Sequence, residues 1–272
     1  MKPLVIYHGN CYDGFTAAWV AWRRFGGDID THPAQYGQAP PEVLGRDVYV
    51  LDFSYPRDVM LHMDELSRSM LVLDHHKTAK EACDGLGFCE FDMDRSGAGM
   101  AWDHFFGGKP RPWLVDRVED RDIWRFKYGD STQRVHAALT SHPMCFETWG
   151  AISVSDLEAI EAQGSAILRA MNQSIAKASK HARVLELEVG ATRLHCVALN
   201  VPYLNASETA HHLLEVYPDA ELSITFFQIE DERWQYSLRS RKGGPDVSEI
   251  AKLYGGGGHA NAAGFYADKL IV

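Results

Sequence analysis

The residues best suited to chemistry stand together at positions 74–76, where Asp74, His75 and His76 follow the apolar run Met70, Leu71, Val72 and Leu73. Four apolar residues read as a short buried strand. In an α/β sheet the carboxyl end of such a strand is where ligands bind. Side chains alternate along an extended chain, which predicts Asp74 and His76 leaning one way and His75 the other. A carboxylate and two imidazoles so placed can ligate one metal ion and steady a second, or fix a ligand from behind. Alone, a histidine doublet is more often a surface pair after a buried strand. The remainder of the chain reverses that reading.

Two earlier strand ends carry the same signature. Residues 3–8 read as a strand ending in His8, followed by Gly9, Asn10, Cys11, Tyr12, Asp13 and Gly14, then by an apolar helix over residues 15–22. Strand, glycine-bearing loop and helix set side chains over a helix N-terminus, where anions are favoured. His8 and Asp13 could hold a metal there, while Asp13 could equally be a helix N-cap. Residues 48–51 form the next strand and run into Asp52. Three strands in succession thus end in carboxylate or imidazole. Further on, Ser96 sits at a helix start with Gly97, Ala98 and Gly99, small residues whose amides could approach a phosphate or a metal site. A plain capping role suits Ser96 as well. Asp120 and Asp122 flank Arg121 after a helix over residues 113–119; they read either as a solvated charge run or as a source of one more metal-binding carboxylate.

The elements that must position these groups alternate between buried strands and helices, including a helix over residues 56–69, which predicts an α/β fold with a parallel sheet. Residues 153–184 lack proline and carry Leu157, Ile160, Ile167, Leu168, Met171 and Ile175 at three- and four-residue steps, the pattern of a long amphipathic helix. It reads as a connector, so the chain divides into residues 1–150, a connecting helix at 151–183, and a smaller α/β unit with a mixed sheet at 184–272. In that last unit, strands are expected at 184–189, 194–199, 222–229 and 234–240, with helices at 206–216 and 246–254. Gly255, Gly256, Gly257 and Gly258 precede His259 near its end. Four glycines in a row are costly unless backbone must come very close to something. Their amides could wrap an anion, with His259 donating to a phosphate oxygen and Arg239 and Arg241 offering forked contacts. A flexible linker is the competing reading.

Composition narrows the class. The 272 residues are 46% hydrophobic and 24% charged, as in a globular protein, and no apolar run approaches the roughly 20 residues of a membrane helix. A strand-like segment begins directly after Met1, Lys2 and Pro3, leaving no signal peptide to expect. Five cysteines form no CxxC pair, so a reducing, cytoplasmic setting is expected, without disulfides or structural zinc. A net charge of -10 argues against holding long duplex nucleic acid. Small anionic ligands remain compatible where metal ions and a few arginines supply local positive charge.

Taken in order, these stretches resemble the motifs of the DHH phosphoesterase superfamily. The name-giving trio is Asp74, His75 and His76; the earlier motifs look like residues 8–14 and 51–54, the fourth like 118–122. The glycine-rich end, 255–265, resembles the associated C-terminal domain of the RecJ-type and nanoRNase branches. The resemblance implies a two-domain phosphodiesterase with a pair of Mn²⁺ ions in its first domain, Mg²⁺ being an alternative. Carried over residue by residue, it implies His8, Asp13, Asp52, His76 and Asp120 as metal ligands, Asp52 bridging. Asp74 would fall on the metals or orient a histidine, and His75 would stand near the phosphate. Arg239, Gly257, Gly258 and His259, with Ser96 at its helix start, would hold substrate. The chain departs from the family at its first motif, where Asn10 and Cys11 precede a single Asp13, which points to one weaker metal position. Asp122 is an alternative to Asp120. The substrate implied is a short nucleic acid such as a linear dinucleotide or nanoRNA, cut to mononucleotides. A 3′,5′-bisphosphonucleotide, a cyclic dinucleotide, or nucleotide sensing without cleavage are the alternatives. Neither a membrane nor a long duplex is expected as a partner, and a homodimer is compatible with the pattern.

Overall fold

The strands of the first half alternate apolar residues on both faces, and that alone calls for helices on either side of a sheet. The computed structural model describes residues 1–189, 192–230 and 233–271, and it separates into two units, Met1–Leu168 and Arg169–Val272. In the first unit, strands β1 (Leu4–His8), β2 (Asp30–Ala34), β3 (Asp47–Leu51), β4 (Ser69–Asp74) and β5 (Cys89–Phe91) form a sheet in the order β2-β1-β3-β4-β5. Every pairing is parallel. Helices α1 (Tyr12–Arg24), α2 (Arg57–Leu66), α3 (Lys77–Cys83), α4 (Gly97–Phe106), α5 (Trp113–Asp122), α6 (Asp130–Leu139) and α7 (Phe146–Val154) follow in chain order. Leu4, Ile6, Val48, Val50 and Val72 pack with Met60 and Met63 of α2 and Cys83 of α3. The intervening residues Val5, Leu51 and Leu73 pack on the other side with Phe15 and Trp19 of α1, Ala98 of α4 and Leu114 of α5. Period-two alternation thus feeds two cores from one set of strands.

Some elements escape the sequence pattern. The edge strand β2 contains Pro33 and is mostly exposed, so it shows no apolar run; an edge is where a sheet tolerates proline. Strand β5 is three residues long. The helix expected over 153–184 is instead two: α7 ends at Val154, and α8 runs Leu157–Ala178. Between them Ser155 is extended (ψ 159°), and Asp156 Oδ1 accepts from Glu158 N at 3.4 Å to start the new helix. The boundary between the units falls within α8, after Leu168.

In the second unit, β6 (Arg183–Val189), β7 (Thr192–Asn200), β8 (Leu222–Glu230), β9 (Arg233–Ser240), β10 (Gly257–His259) and β11 (Ala262–Ala267) form a mixed sheet in the order β10-β11-β9-β8-β7-β6. Among the described residues of this unit only β7 and β8 pair in parallel, joined by helix α9 (Ala206–Val216), as a parallel crossover requires. Helix α10 (Val247–Leu253) packs Val247, Ile250 and Ala251 on Cys196, Ile224 and Leu238, whereas α9 sets Ala206 and Leu213 against Val197 and Leu199 of the opposite face. Among the described residues no helix is long and apolar enough to cross a membrane.

Candidate metal centre

Parallel pairing in register brings the carboxyl ends of β1, β3 and β4 to one rim of the first sheet, with Tyr7 beside Leu51 and Leu51 beside Leu73. The residue after β3, Asp52, donates its backbone N–H to Leu73 O at 2.8 Å and adopts φ +58°. That left-handed turn is uncommon outside glycine, and strain of this kind persists where surrounding structure enforces it. It places the Asp52 carboxylate amid three imidazoles. Oδ1 stands 3.0 Å from His75 Nε2 and 3.9 Å from His76 Nδ1, and Oδ2 stands 3.5 Å from His8 Nδ1.

Asp74 and His76 share one side, as alternation predicts. Asp74 Oδ1 faces His76 Nδ1 at 2.7 Å and accepts from the backbone N–H groups of His75 and His76. Its Oδ2 accepts from Ser54 Oγ at 2.6 Å. With both oxygens so engaged, Asp74 backs His76 and does not face the other carboxylates. Of the two roles expected for it, the geometry has the histidine-orienting one. His75 turns the other way, its Nε2 lying 3.2 Å from Asp122 Oδ2 and 3.8 Å from Asp13 Oδ2 as well as near Asp52. His75 is the deeper of the two histidines, 1% exposed against 9% for His76.

Asp13 is held by the start of α4. Gly97 and Ala98 donate their amides to its two oxygens at 2.6 and 3.1 Å, which uses helix N-terminal donors that would otherwise lack partners. Gly97 is required there, because a Cβ would lie 2.5 Å from Asp52 Cβ and 3.0 Å from Asp13 Oδ2. Ser96 is fully buried; its Oγ accepts from Gly99 N, and its own N–H donates to Glu119 Oε2. Ser96 thus caps α4.

Asp120 does not join the cluster. It accepts from the backbone amides of Lys127 and Tyr128 at 2.8 and 3.2 Å and from Thr132 Oγ1, which ties the loop after α5 to α6. Asp122, two residues on, faces His75. Both lie in the last turn of α5, where a two-residue step rotates a side chain by about 200°. Only the placement of that helix chooses between them.

Among the described residues of the first unit two donor groups result, Asp13 with Asp52 and His75, and His8 with Asp52 and His76, each with its ligand atoms within 4.8 Å of one another. Asp52 belongs to both, the position of a bridging ligand. Asp13, Asp52 and Asp74 are each at most 1% exposed, and buried carboxylates at this density require cations. Burial, then the Asp52 and Asp122 charges, push the Asp13 carboxyl well above its ordinary range. Burial opposes a charge on His75, yet the hydrogen bond with Asp52 and the charges of Asp122 and Asp13 hold its pKa well above the usual histidine value. His76 is also raised, Asp74 overcoming the effect of burial. Furthermore, His8 Nδ1 and Asp52 Oδ2 are buried and make no hydrogen bond to any described residue. A divalent cation of the Mn²⁺ or Mg²⁺ type fits these oxygen and imidazole donors better than a thiophilic ion does.

Sequence reasoning missed Ser54, the phenol of Tyr36, and the Arg111–Glu119 pair (2.8 Å) that anchors Ser96. Ser54 follows Asp52 by two residues, the same-side step of an extended chain, which is the one signal that pointed to it. In the second unit, Arg239 donates to Ser207 Oγ at 2.7 Å, and Arg241 is spent on the carbonyls of Leu214, Tyr217 and Ala220 around the end of α9. Gly257, Gly258 and His259 form β10, antiparallel to β11. What the glycine run comes close to is this neighbouring strand: at Gly256 a Cβ would stand 2.1 Å from Gly264 O.

A doubly wound parallel sheet with a carboxylate–imidazole cluster at its strand ends, followed by a mixed-sheet unit, defines the class. The DHHA1 domain profile matches residues 194–270. That match covers most of the second unit, and the whole chain has the fold of solved structures with this two-unit arrangement. Among relatives, an uncharacterized protein of Acanthamoeba polyphaga mimivirus is 28% identical over 285 aligned positions, which take in 96% of this chain and 66% of that protein's length. The fold is similar to that of a pGpG-specific phosphodiesterase from Vibrio cholerae (TM-score 0.52, 15% identity, 98% of this chain and 93% of that one). It is also similar to RecJ of Thermus thermophilus solved with Mn²⁺ (TM-score 0.54, 15% identity, 97% of this chain and 49% of that one).

Proposed function

We propose that this protein is a metal-dependent phosphodiesterase that hydrolyses short oligonucleotides, such as linear dinucleotides and nanoRNA, to mononucleotides. The observation that carries the reading is Asp52, shared by two groups of buried donors at the rim of the sheet. Asp13, Asp52, His75 and Asp122 would hold one divalent ion, and His8, Asp52 and His76 the other. Such a pair, when bound, supplies charge stabilisation at phosphorus and a nucleophile at neutral pH. The chain's own part is positioning. Asp74, fixed by Ser54, sets the orientation of His76, and the α4 amides keep the Asp13 carboxylate aimed inward. The second group has two carboxylates fewer, which supports a weaker ion there. Arg239, Gly257, Gly258 and His259 are the proposed contacts to a substrate phosphate in the second unit.

The dinucleotide phosphodiesterase named among the structural relatives supports a short substrate, as does a net charge of -10, since few phosphates then need neutralising. The test is a panel run with Mn²⁺: a 5′-phosphorylated dinucleotide, oligonucleotides of increasing length, a cyclic dinucleotide and a 3′,5′-bisphosphonucleotide. Turnover should be greatest on the dinucleotide. Preference for a long strand overturns the size limit, and binding without turnover on any member leaves a sensor in place of an enzyme.

A further inference from the structure

Tyr36 lies in the loop that follows β2, the edge strand invisible to sequence patterning. Pairing of His8 with Ala34, and of Gly9 N with Ala34 O at 2.8 Å, delivers this loop beside the end of β1. The Tyr36 ring is packed by Phe53 (centroids 4.9 Å apart), His8 (5.6 Å) and His76 (6.5 Å), so two of its three neighbours are donors of the second metal group. Its hydroxyl is shut off from solvent and makes no hydrogen bond to any described residue. A buried hydroxyl without a partner is unfavourable, and phenylalanine would fill the same ring position without that cost. The hydroxyl is therefore kept for an acceptor that arrives with a ligand. A phenol is protonated at neutral pH and donates a hydrogen bond, which is strongest to an anionic oxygen such as that of a phosphoryl group.

We infer that Tyr36 is a substrate-binding residue whose hydroxyl donates a hydrogen bond to a non-bridging phosphoryl oxygen held beside the His8, Asp52 and His76 group. The identity of the acceptor rests on the phosphodiesterase reading; the need for one rests on the packing alone. Tyr36 packs on His8 and His76 through its ring, which removal of the hydroxyl alone leaves in place.

The experiment compares native protein with Tyr36→Phe, which keeps the ring and removes only the hydroxyl. Binding of Mn²⁺ alone, and of inorganic phosphate to the Mn²⁺-loaded protein, is measured by calorimetry, and melting is followed without metal. Phosphate binding should weaken by roughly tenfold, as for one hydrogen bond to a charged acceptor. Mn²⁺ binding should stay within about twofold, and the metal-free melting temperature should hold or rise, because an unpartnered polar group has been removed. Unchanged phosphate affinity, or an equal loss of Mn²⁺ affinity, overturns the inference, as does a fall in the metal-free melting temperature, which would make the hydroxyl a structural partner. If no dinucleotide is hydrolysed but phosphate binding still depends on the hydroxyl, the functional reading fails and the role of Tyr36 stands. Efficient hydrolysis with phosphate affinity untouched by Tyr36→Phe has the opposite meaning.

Discussion

Substituting Ser54 by alanine isolates the support behind the centre without touching a proposed ligand. Ser54 is 5% exposed and its hydroxyl meets Asp74 Oδ2 at 2.6 Å, while Asp74 is wholly buried. Removing a donor to a buried carboxylate costs about 1.5–3 kcal/mol. For a unit of this size that is a melting-temperature loss of roughly 3–10 °C. Freed of one anchor, Asp74 holds His76 less firmly, and loss of such outer support typically weakens metal binding about 10–100-fold. Burial would raise the Asp74 pKa, but the charge and hydrogen bond of His76 bring the net shift downward. A carboxyl lowered in the folded state contributes stability above its unfolded pKa near 4 and loses it as pH falls through the folded value. The difference between Ser54→Ala and native protein should accordingly be full at pH 7 and shrink on acidification below about 4. Calorimetric melting between pH 3.5 and 7.5 and a Mn²⁺ titration provide the readouts. A loss under about 1 °C at pH 7, or Mn²⁺ affinity equal to native, would falsify the placement of Asp74 as the brace of His76.

Three further outcomes follow from the same region. Asp122→Asn should lower Mn²⁺ affinity at least about tenfold while leaving the metal-free protein as stable or more so, since a like charge leaves the neighbourhood of Asp52 and Asp13. Asp120→Asn should do the reverse, reducing stability through its amide and Thr132 contacts with metal binding intact; matched melting and Mn²⁺ titrations decide between the carboxylates, and the opposite pattern restores Asp120 as the ligand. His75 and His76 both have raised pKa values, so the metal-free protein gains stability that is complete below the unfolded histidine value near 6.5 and declines as pH rises through the folded values. Loading Mn²⁺ at pH 7 must then release protons, and the apparent binding enthalpy should change with the ionisation enthalpy of the buffer. A buffer-independent enthalpy would mean the imidazoles are already neutral.

Local chemistry determined a good deal about this protein on its own. An apolar strand ending in Asp74, His75 and His76, preceded by strands ending in His8 and Asp52, can be read along the chain because strand burial and side-chain alternation are short-range properties. The same is true of the glycine run, which the close approach of β11 and the closing of α10 also require. What the linear chain left open were choices between near neighbours. Asp120 and Asp122 share one helical turn, and only the seating of α5 turns the second toward His75. Whether Asp74 faces the cluster or backs a histidine was likewise open along the chain, and Ser54 and two backbone amides claim its oxygens. Tyr36 enters the centre through a polar edge strand, whose pairing with β1 leaves no apolar signature. Each of these depends on contacts between residues far apart in sequence, and such contacts exist only once the sheet has closed its register.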